Sequence, residues 1–274
     1  MITLRKYDDH EKFRSDVLSH LEKNEVENNL PIGVLNSLTA ESTIYLMATI
    51  TKEDELLVVL LQTHPQQIII SKPPRFSDKE ISEIAKLLSE QINGIPGLIG
   101  ERNFTEKLAN YINPQYYVQM NQRIYKLTEI KKEPASNGKL RLVNMVDLPV
   151  VKNWVFMFCD EIGESINWEE SEEKALAFIK SERIYAWEIN RKLVAMASIS
   201  RPTRSNICIS LVFTPIENRK KGYASSCVSA LSSLMLEKGY KTTSLYTDLD
   251  NPTSNKIYME IGYEPIMDSI LYRK

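Results

Sequence analysis

The chain has 274 residues, 43% of them hydrophobic, with 34 lysines and arginines against 36 aspartates and glutamates for a formal net charge of −2. Such a length allows one large domain or two ordinary ones with a sizeable core, and the balanced charge excludes the global cationic field on which sequence-independent nucleic-acid binding relies. Cys159, Cys208 and Cys227 are widely spaced and odd in number, a poor framework for disulfides and a poor metal site.

The N-terminal "MITLRKYDDHEKF" has no apolar leader region, and no stretch approaches the roughly 18 to 20 apolar residues that a bilayer span needs. A cytoplasmic protein without membrane, nucleic-acid or metal partners is expected. "STIYLMATI", "ELLVVLLQT" and "QIIISK" read as three strands, rich in β-branched and apolar residues and separated by "TKED" and "HPQ". In "SDKEISEIAKLLSEQI", Ser77 is placed to cap a helix with Glu80 three residues on, and Ile81, Ile84, Leu87, Leu88 and Ile92 recur at helical spacing. "NFTEKLANYI" reads as a further helix and "YYVQMNQRIYKL" as a strand. The first half, residues 1–130, is therefore an α+β domain with no glycine-rich phosphate turn.

A seam follows at "EIKKEPASNGKL", residues 129 to 140, charged and carrying Pro134, Ser136, Asn137 and Gly138 together. Beyond it "LRLVNM" reads as a strand, Asp147 is placed to cap the helix "LPVVKNWVFMFCDEI", and "EESEEKALAFIKSE" reads as a more polar helix. Three extended runs come next, "IYAWEIN", "KLVAMASIS" and "NICISLVFT"; in the last, Ile207, Ile209, Leu211 and Phe213 alternate with Cys208, Ser210 and Val212. From Gly222 the period becomes helical, with Ala224, Cys227, Val228, Leu231, Leu234 and Met235 on one face and Gly239 where a left-handed C-terminal cap belongs.

"ENRKKGYASS", residues 217 to 226, is then the turn between a strand and a helix. The first N–H groups of a helix lack intrahelical partners and carry partial positive charge, which makes this turn an anion site. Gly222 lets a ligand approach the backbone, Arg219, Lys220 and Lys221 supply counter-charge, and a diphosphate is the natural guest. A merely solvated lysine turn is the plain alternative. Neither G-x-x-x-x-G-K-[ST] nor G-x-G-x-x-G is present, so the common nucleotide loops are not supported. "RKKGYA" resembles instead the R-x-x-G-x-A/G pyrophosphate loop of the GNAT superfamily of N-acetyltransferases. "LVFTP" looks like that family's splayed strand, and "NPTSNKIYMEIGYEP" is similar to its closing motif. The resemblance covers residues 139–274 and implies a GNAT fold, an α/β sandwich around a central mixed, largely antiparallel sheet. The first half is loosely similar to a degenerate copy, as in tandem members.

The resemblance implies transfer of an acetyl group from acetyl-CoA directly to an amine. Backbone groups of Val212, Phe213 and Thr214 would line the pantetheine arm, and Arg219, Lys220, Lys221, Gly222, Tyr223 and Ala224 would hold the pyrophosphate. Tyr258 would hydrogen-bond the departing thiolate. A thiol titrates near 8.5 and a phenol near 10, so full proton transfer is uphill by roughly 1.5 units and a strong hydrogen bond is expected. Asn251 and Asn255 either contact the cofactor or cap and tie the short helix. The central strands carry no carboxylate, which leaves Glu188 as the nearest candidate base, Glu217 and Asp248 behind it, and a water chain as the alternative. His10, His20 and His64 all lie in the first half, and Cys227 falls on the apolar helix face. The acidic run "CDEIGESINWEESEEK" would favour a cationic acceptor, a small molecule or a peptide amine, unless it is only a solvated helix face. Three readings stay open: an N-acetyltransferase, a CoA-binding regulatory protein without turnover, and a transferase of longer acyl chains admitted by the small Ala195, Ala197 and Ser198. The first half would shape the acceptor cleft or mediate assembly, for instance as a homodimer.

Overall fold

A computed structural model describes residues 1–274 and begins with elements that the hydrophobic pattern did not mark: β1 (Ile2–Lys6), α1 (His10–Leu21) and α2 (Asn29–Ser37). Asp9 starts α1 by accepting the N–H groups of Glu11 and Lys12. The three predicted strands follow as β2 (Leu46–Lys52), β3 (Glu55–His64) and β4 (Gln67–Ile70), an antiparallel meander. Glu53 and Asp54 both take positive φ, 50° and 67°, the two-residue turn whose twist matches a hairpin. α3 (Asp78–Gln91) carries the expected reciprocal cap, Ser77 N–H donating to Glu80 at 2.9 Å and Glu80 N–H to Ser77 Oγ at 3.3 Å. β5 (Gly97–Glu101), with two glycines in five residues, escaped the sequence reading; α4 (Arg102–Ile112) and β6 (Tyr117–Leu127) did not.

The second half supplies β7 (Lys139–Leu142), α5 (Leu148–Glu161), α6 (Trp168–Lys180), β8 (Ile184–Ile189), β9 (Lys192–Ser200), β10 (Asn206–Phe213), α7 (Tyr223–Glu237), β11 (Thr242–Asp248), α8 (Pro252–Ile261) and β12 (Glu264–Arg273). Asp147 precedes α5 but does not cap it, because its carboxylate is taken by Arg141 at 2.7 and 2.8 Å and by the Asn144 N–H at 3.0 Å. Gly239 has φ 101° just past α7, as its position implied.

The chain forms two compact units. One comprises Met1–Tyr125 with Tyr246–Asn255 and Pro265–Lys274; the other comprises Lys126–Leu245 with Lys256–Glu264. A division at the seam into 1–130 and 139–274 therefore departs from these units at Tyr246–Asn255 and Pro265–Lys274, which belong to the first. The reason is strand pairing: β12 lies antiparallel to β5, Ser269 opposite Glu101 through Arg273 opposite Gly97. A Cβ at Gly97 would collide with the carbonyl oxygens of Tyr272 and Gln66.

In the first unit the strand order is β1-β2-β3-β4-β5-β12-β6. Ala48, Ile50, Val58 and Leu60 pack with Ile84 and Leu88 of α3 and Leu108 of α4, while the alternating Met47, Val59 and Leu61 pack with Phe13 and Val17 of α1 and Ile32 of α2. In the second unit the order is β11-β10-β9-β8-β7, with Val151, Trp154, Ala175 and Ile179 of α5 and α6 covering Ile184, Ala186, Met196 and Phe213. Parallel pairs occur at β4/β5 and β10/β11, so each sheet is mixed and largely antiparallel, as expected. The seam has no regular structure yet is not loose. Lys131 N–H donates to Ile261 O at 2.8 Å, Ser229 Oγ to Lys132 O at 2.6 Å, and Ala135 N–H to Ser226 Oγ at 3.1 Å.

Candidate active site

β10 and β11 run parallel only from Asn206 opposite Thr242 to Ile209 opposite Leu245. Beyond Ile209, β10 stays with β9 but skips register between Ser210 and Phe213, and Leu211 takes φ 49° to absorb the extra residues. The β11-side N–H and C=O groups of the following residues thus leave the ladder. Thr214, next in line, has a buried hydroxyl with no hydrogen-bond partner. Such an orphan is costly unless something joins it.

The turn then closes through Pro215 and a short 3-10 turn at Ile216–Asn218. Arg219, though exposed, folds back over the turn: its Nε donates to Thr214 O at 2.8 Å, its Nη2 meets Glu161, and its guanidinium stands 5.9 Å from the Phe213 ring centre. Its work is to buckle the turn, and its charge is paired with the Glu161 carboxylate. Lys221 Nζ donates to Glu217 O at 2.9 Å, and both Lys220 and Lys221 are exposed without an anionic partner. Gly222, φ 79°, is the N-cap of α7, and no side chain caps that helix. A Cβ at Gly222 would meet nothing within 4 Å, so the glycine serves backbone conformation and open approach, not packing. The half-buried Tyr223 and Ala224 open the helix with uncapped N–H groups.

α8 ends where Tyr258 is buried, 7% exposed, and desolvation pushes its phenol well above the ordinary tyrosine range. The ring of Tyr263 lies edge-on to it at 6.1 Å, and the Tyr263 hydroxyl is fixed by Ser232 and Thr243, 2.8 Å from each. Gly262 between them has φ 122°, and a Cβ there would sit 2.8 Å from Glu129 O. The Gly-Tyr pair is thus a structural pin that holds the end of α8 against the seam.

Other expected site residues are committed elsewhere. Asn251 Oδ1 accepts the Ser254 N–H at 3.0 Å, while Asn255 Nδ2 donates to Asp248 O and Asn251 O at 2.9 and 2.7 Å and its Oδ1 accepts from the Tyr125 hydroxyl at 2.9 Å. They cap and tie the start of α8, and both belong to the first unit. Glu188, on β8, is held by Arg141 Nε at 2.5 Å and Lys139 Nζ at 3.3 Å, and chiefly the Arg141 hydrogen bond lowers its pKa below the carboxylate range. A carboxylate so stabilised is a poor base. Cys227 is fully buried, its thiol pushed up to about 12 by desolvation, which makes it inert core. Of the acidic run, Glu161 meets Arg219, Glu172 meets Lys152, Glu164 lies 3.8 Å from Lys174 and Glu170 caps α6 through Asn167, while Asp160, Glu169 and Glu173 are exposed outside any ion pair.

One feature escaped the sequence reading. Ser198 and Ser210 hydroxyls are 2.9 Å apart and Ser210 donates to Ser200 at 3.0 Å, a three-hydroxyl chain across β9 and β10 beside the bulge. By alternation it shares the sheet face of Met196, covered by α5 and α6. Serines two apart on one strand were the only signal. Ala195 and Ala197 are wholly buried, so their small size serves packing.

Residues 153–263 match the model of the acetyltransferase (GNAT) family. Among solved structures, an acetyltransferase from the GNAT family of Colwellia psychrerythraea is 12% identical, with TM-score 0.63 over 99% of this chain and 98% of that one. A GCN5-related N-acetyltransferase from Sphaerobacter thermophilus is 12% identical, with TM-score 0.64 over 100% and 95%. A tandem GNAT protein from the clavulanic acid biosynthesis pathway is 10% identical, with TM-score 0.57 over 100% and 98%. These likenesses establish the fold along the full chain. A search of curated proteins returns no match.

Proposed function

We propose, since residues 153–263 match the model of the acetyltransferase (GNAT) family, that the second unit transfers an acetyl group from acetyl-CoA to a primary amine. The observation that carries this reading is the uncapped N-terminus of α7 behind an open, positive-φ Gly222, reached from a strand that has left its ladder at an orphaned Thr214 hydroxyl. A diphosphate fits the first and a polar arm fits the second. Bound acetyl-CoA would supply an activated thioester. Gly222, Tyr223 and Ala224 hold its diphosphate through backbone N–H groups, Lys220 and Lys221 add screened charge, and Arg219 keeps the turn in shape. Val212, Phe213 and Thr214 offer main-chain groups to the pantetheine. Tyr258 donates a hydrogen bond at the departing sulfur while keeping its own proton, because an ordinary phenol is already a weaker acid than a thiol and burial raises this one above the usual tyrosine range. With Glu188 committed, the acceptor amine loses its proton to solvent, and the Ser198–Ser210–Ser200 hydroxyls offer a relay. The three unpaired, buried cysteines suit a reducing cytoplasm, and no helix is long and apolar enough to cross a membrane.

The test is a calorimetric titration with acetyl-CoA followed by thiol release across a panel of amines. A Cβ at Gly222 would meet no protein atom within 4 Å, but φ 79° strains any side chain there, so circular dichroism first checks that Gly222→Glu is folded; its carboxylate at the helix N-terminus should then abolish binding. Unchanged affinity would remove the turn from the site. The commitment of Glu188 favours a second reading, CoA binding without turnover, and binding with no thiol release on any amine would select it.

A further inference from the structure

The first unit repeats the connection that builds the turn of the second: β4, a loop, α3, and then β5 parallel to β4. That parallel pairing covers only Ile68 opposite Leu98 and Ile69 opposite Ile99, and β12 joins β5 only from Ser269 opposite Glu101 onward. Past these positions the chain leaves the sheet for α3 and α4, and a cleft of about 580 Å³ opens at the carboxyl ends of the two parallel strands. Crevices at that place in open sheets are where ligands bind, and the volume lies within the roughly 300–1,000 Å³ of small-molecule sites.

The helix termini here are closed to anions. Ser77 and Glu80 cap α3 reciprocally and Asp78 adds a second carboxylate to its first turn, while Glu101 accepts the Asn103 and Phe104 N–H groups of α4 at 3.1 and 2.8 Å. A diphosphate seated on a helix N-terminus is therefore excluded from this cleft. Side-chain charge remains. Lys72 is paired with Glu27 at 3.0 Å and Lys107 with Asp78 at 2.5 Å. Asp268 feels Arg102, but its two oxygens are taken by Arg123 at 2.6 and 2.9 Å. Arg75, exposed at the rim, and Arg102, half-buried, have no carboxylate partner; Arg102 donates only to the neutral Asn121 Oδ1 at 2.9 Å. Phe76, Phe104, Ile266 and Met267 give the cleft apolar walls.

We propose that this cleft binds a small organic anion, a carboxylate or phosphate monoester on an aromatic or branched aliphatic body, with Arg75 and Arg102 on the head group. Two guanidiniums outside any ion pair suit planar, bidentate recognition of either head group, the lining carboxylates Glu101 and Asp268 being engaged by the α4 N–H groups and by Arg123. The proposal does not depend on acetyl transfer. Phenyl phosphate, benzoate and the neutral benzyl alcohol are titrated into the full chain and followed by calorimetry. One or both anions should bind in the millimolar range or tighter and benzyl alcohol should not, and the stronger anion identifies the head group. Arg75→Ala and Arg102→Gln should each weaken that binding by about tenfold. Gly222→Glu should leave it unchanged, which separates this cleft from the turn in the second unit. Arg75 is exposed, so Arg75→Ala keeps the test alive if Arg102→Gln does not fold. Absence of anion binding, equal binding of benzyl alcohol, or affinity indifferent to Arg75 would overturn the proposal.

Discussion

Replacing Tyr258 by phenylalanine separates its chemical role from its packing. The ring sits 7% exposed and edge-on to Tyr263 at 6.1 Å, contacts that phenylalanine keeps. Stability should therefore fall by no more than about 1 kcal/mol, the scale of one hydroxyl's hydrogen bonding. Turnover is another matter. Ordinary thiol and phenol values already differ by roughly 1.5 units, about 2 kcal/mol against full proton transfer, and desolvation raises the phenol further. The hydroxyl acts as a donor that never gives up its proton. Loss of one such donor costs on the order of 10 to 10³ in kcat, roughly 1.4–4 kcal/mol. Because the thiolate exists only as the bond breaks, the CoA dissociation constant should stay within about threefold, since only interactions strengthened in the transition state alter kcat alone. Thiol release measured at saturating amine, beside calorimetric CoA affinity, reads both. Unchanged turnover, or equal loss of turnover and affinity, would refute the assigned role.

Other consequences follow from the same contacts. With Glu188 held low by Arg141, kcat/KM should rise with pH toward the acceptor amine's own pKa, about 10 for a lysine-like amine; a plateau beginning near pH 7 would reveal a general base. Arg141→Ala releases Asp147 and Glu188, both held below their usual range by that guanidinium. Lowered folded pKa values give stability that is present above the unfolded values near 4 and vanishes as pH falls through the folded ones. The variant should thus unfold at lower denaturant than the parent at pH 7, with the gap closing toward pH 3, and a constant gap would contradict the linkage. Tyr263→Phe leaves the buried Ser232 and Thr243 hydroxyls without their shared partner. A loss of about 1–3 kcal/mol in urea unfolding is expected, and no change would mean that the pin under α8 carries no load.

Much of this molecule was legible in residue order because its causes are local. The Ser77–Glu80 cap, the left-handed Gly239, the alternation along β10 and the basic glycine turn before α7 each depend on neighbours within a few residues. Pattern failed where such causes are weak or absent. β5 has two glycines in five residues and draws its stability from partners distant in sequence, among them β12, which carries the chain's last strand into the first unit. What the sequence by itself determined is therefore the elements from β2 to α7, β5 excepted, and the glycine turn before α7. Tertiary structure alone decided which polar groups remain available. Arg141 and Lys139 take Glu188 out of base chemistry, Glu161 and Thr214 turn Arg219 into a buckle, and Asn255 is drawn to Tyr125. Charges and hydrogen-bonding groups act through distance in space, and a sequence gives only distance along the chain.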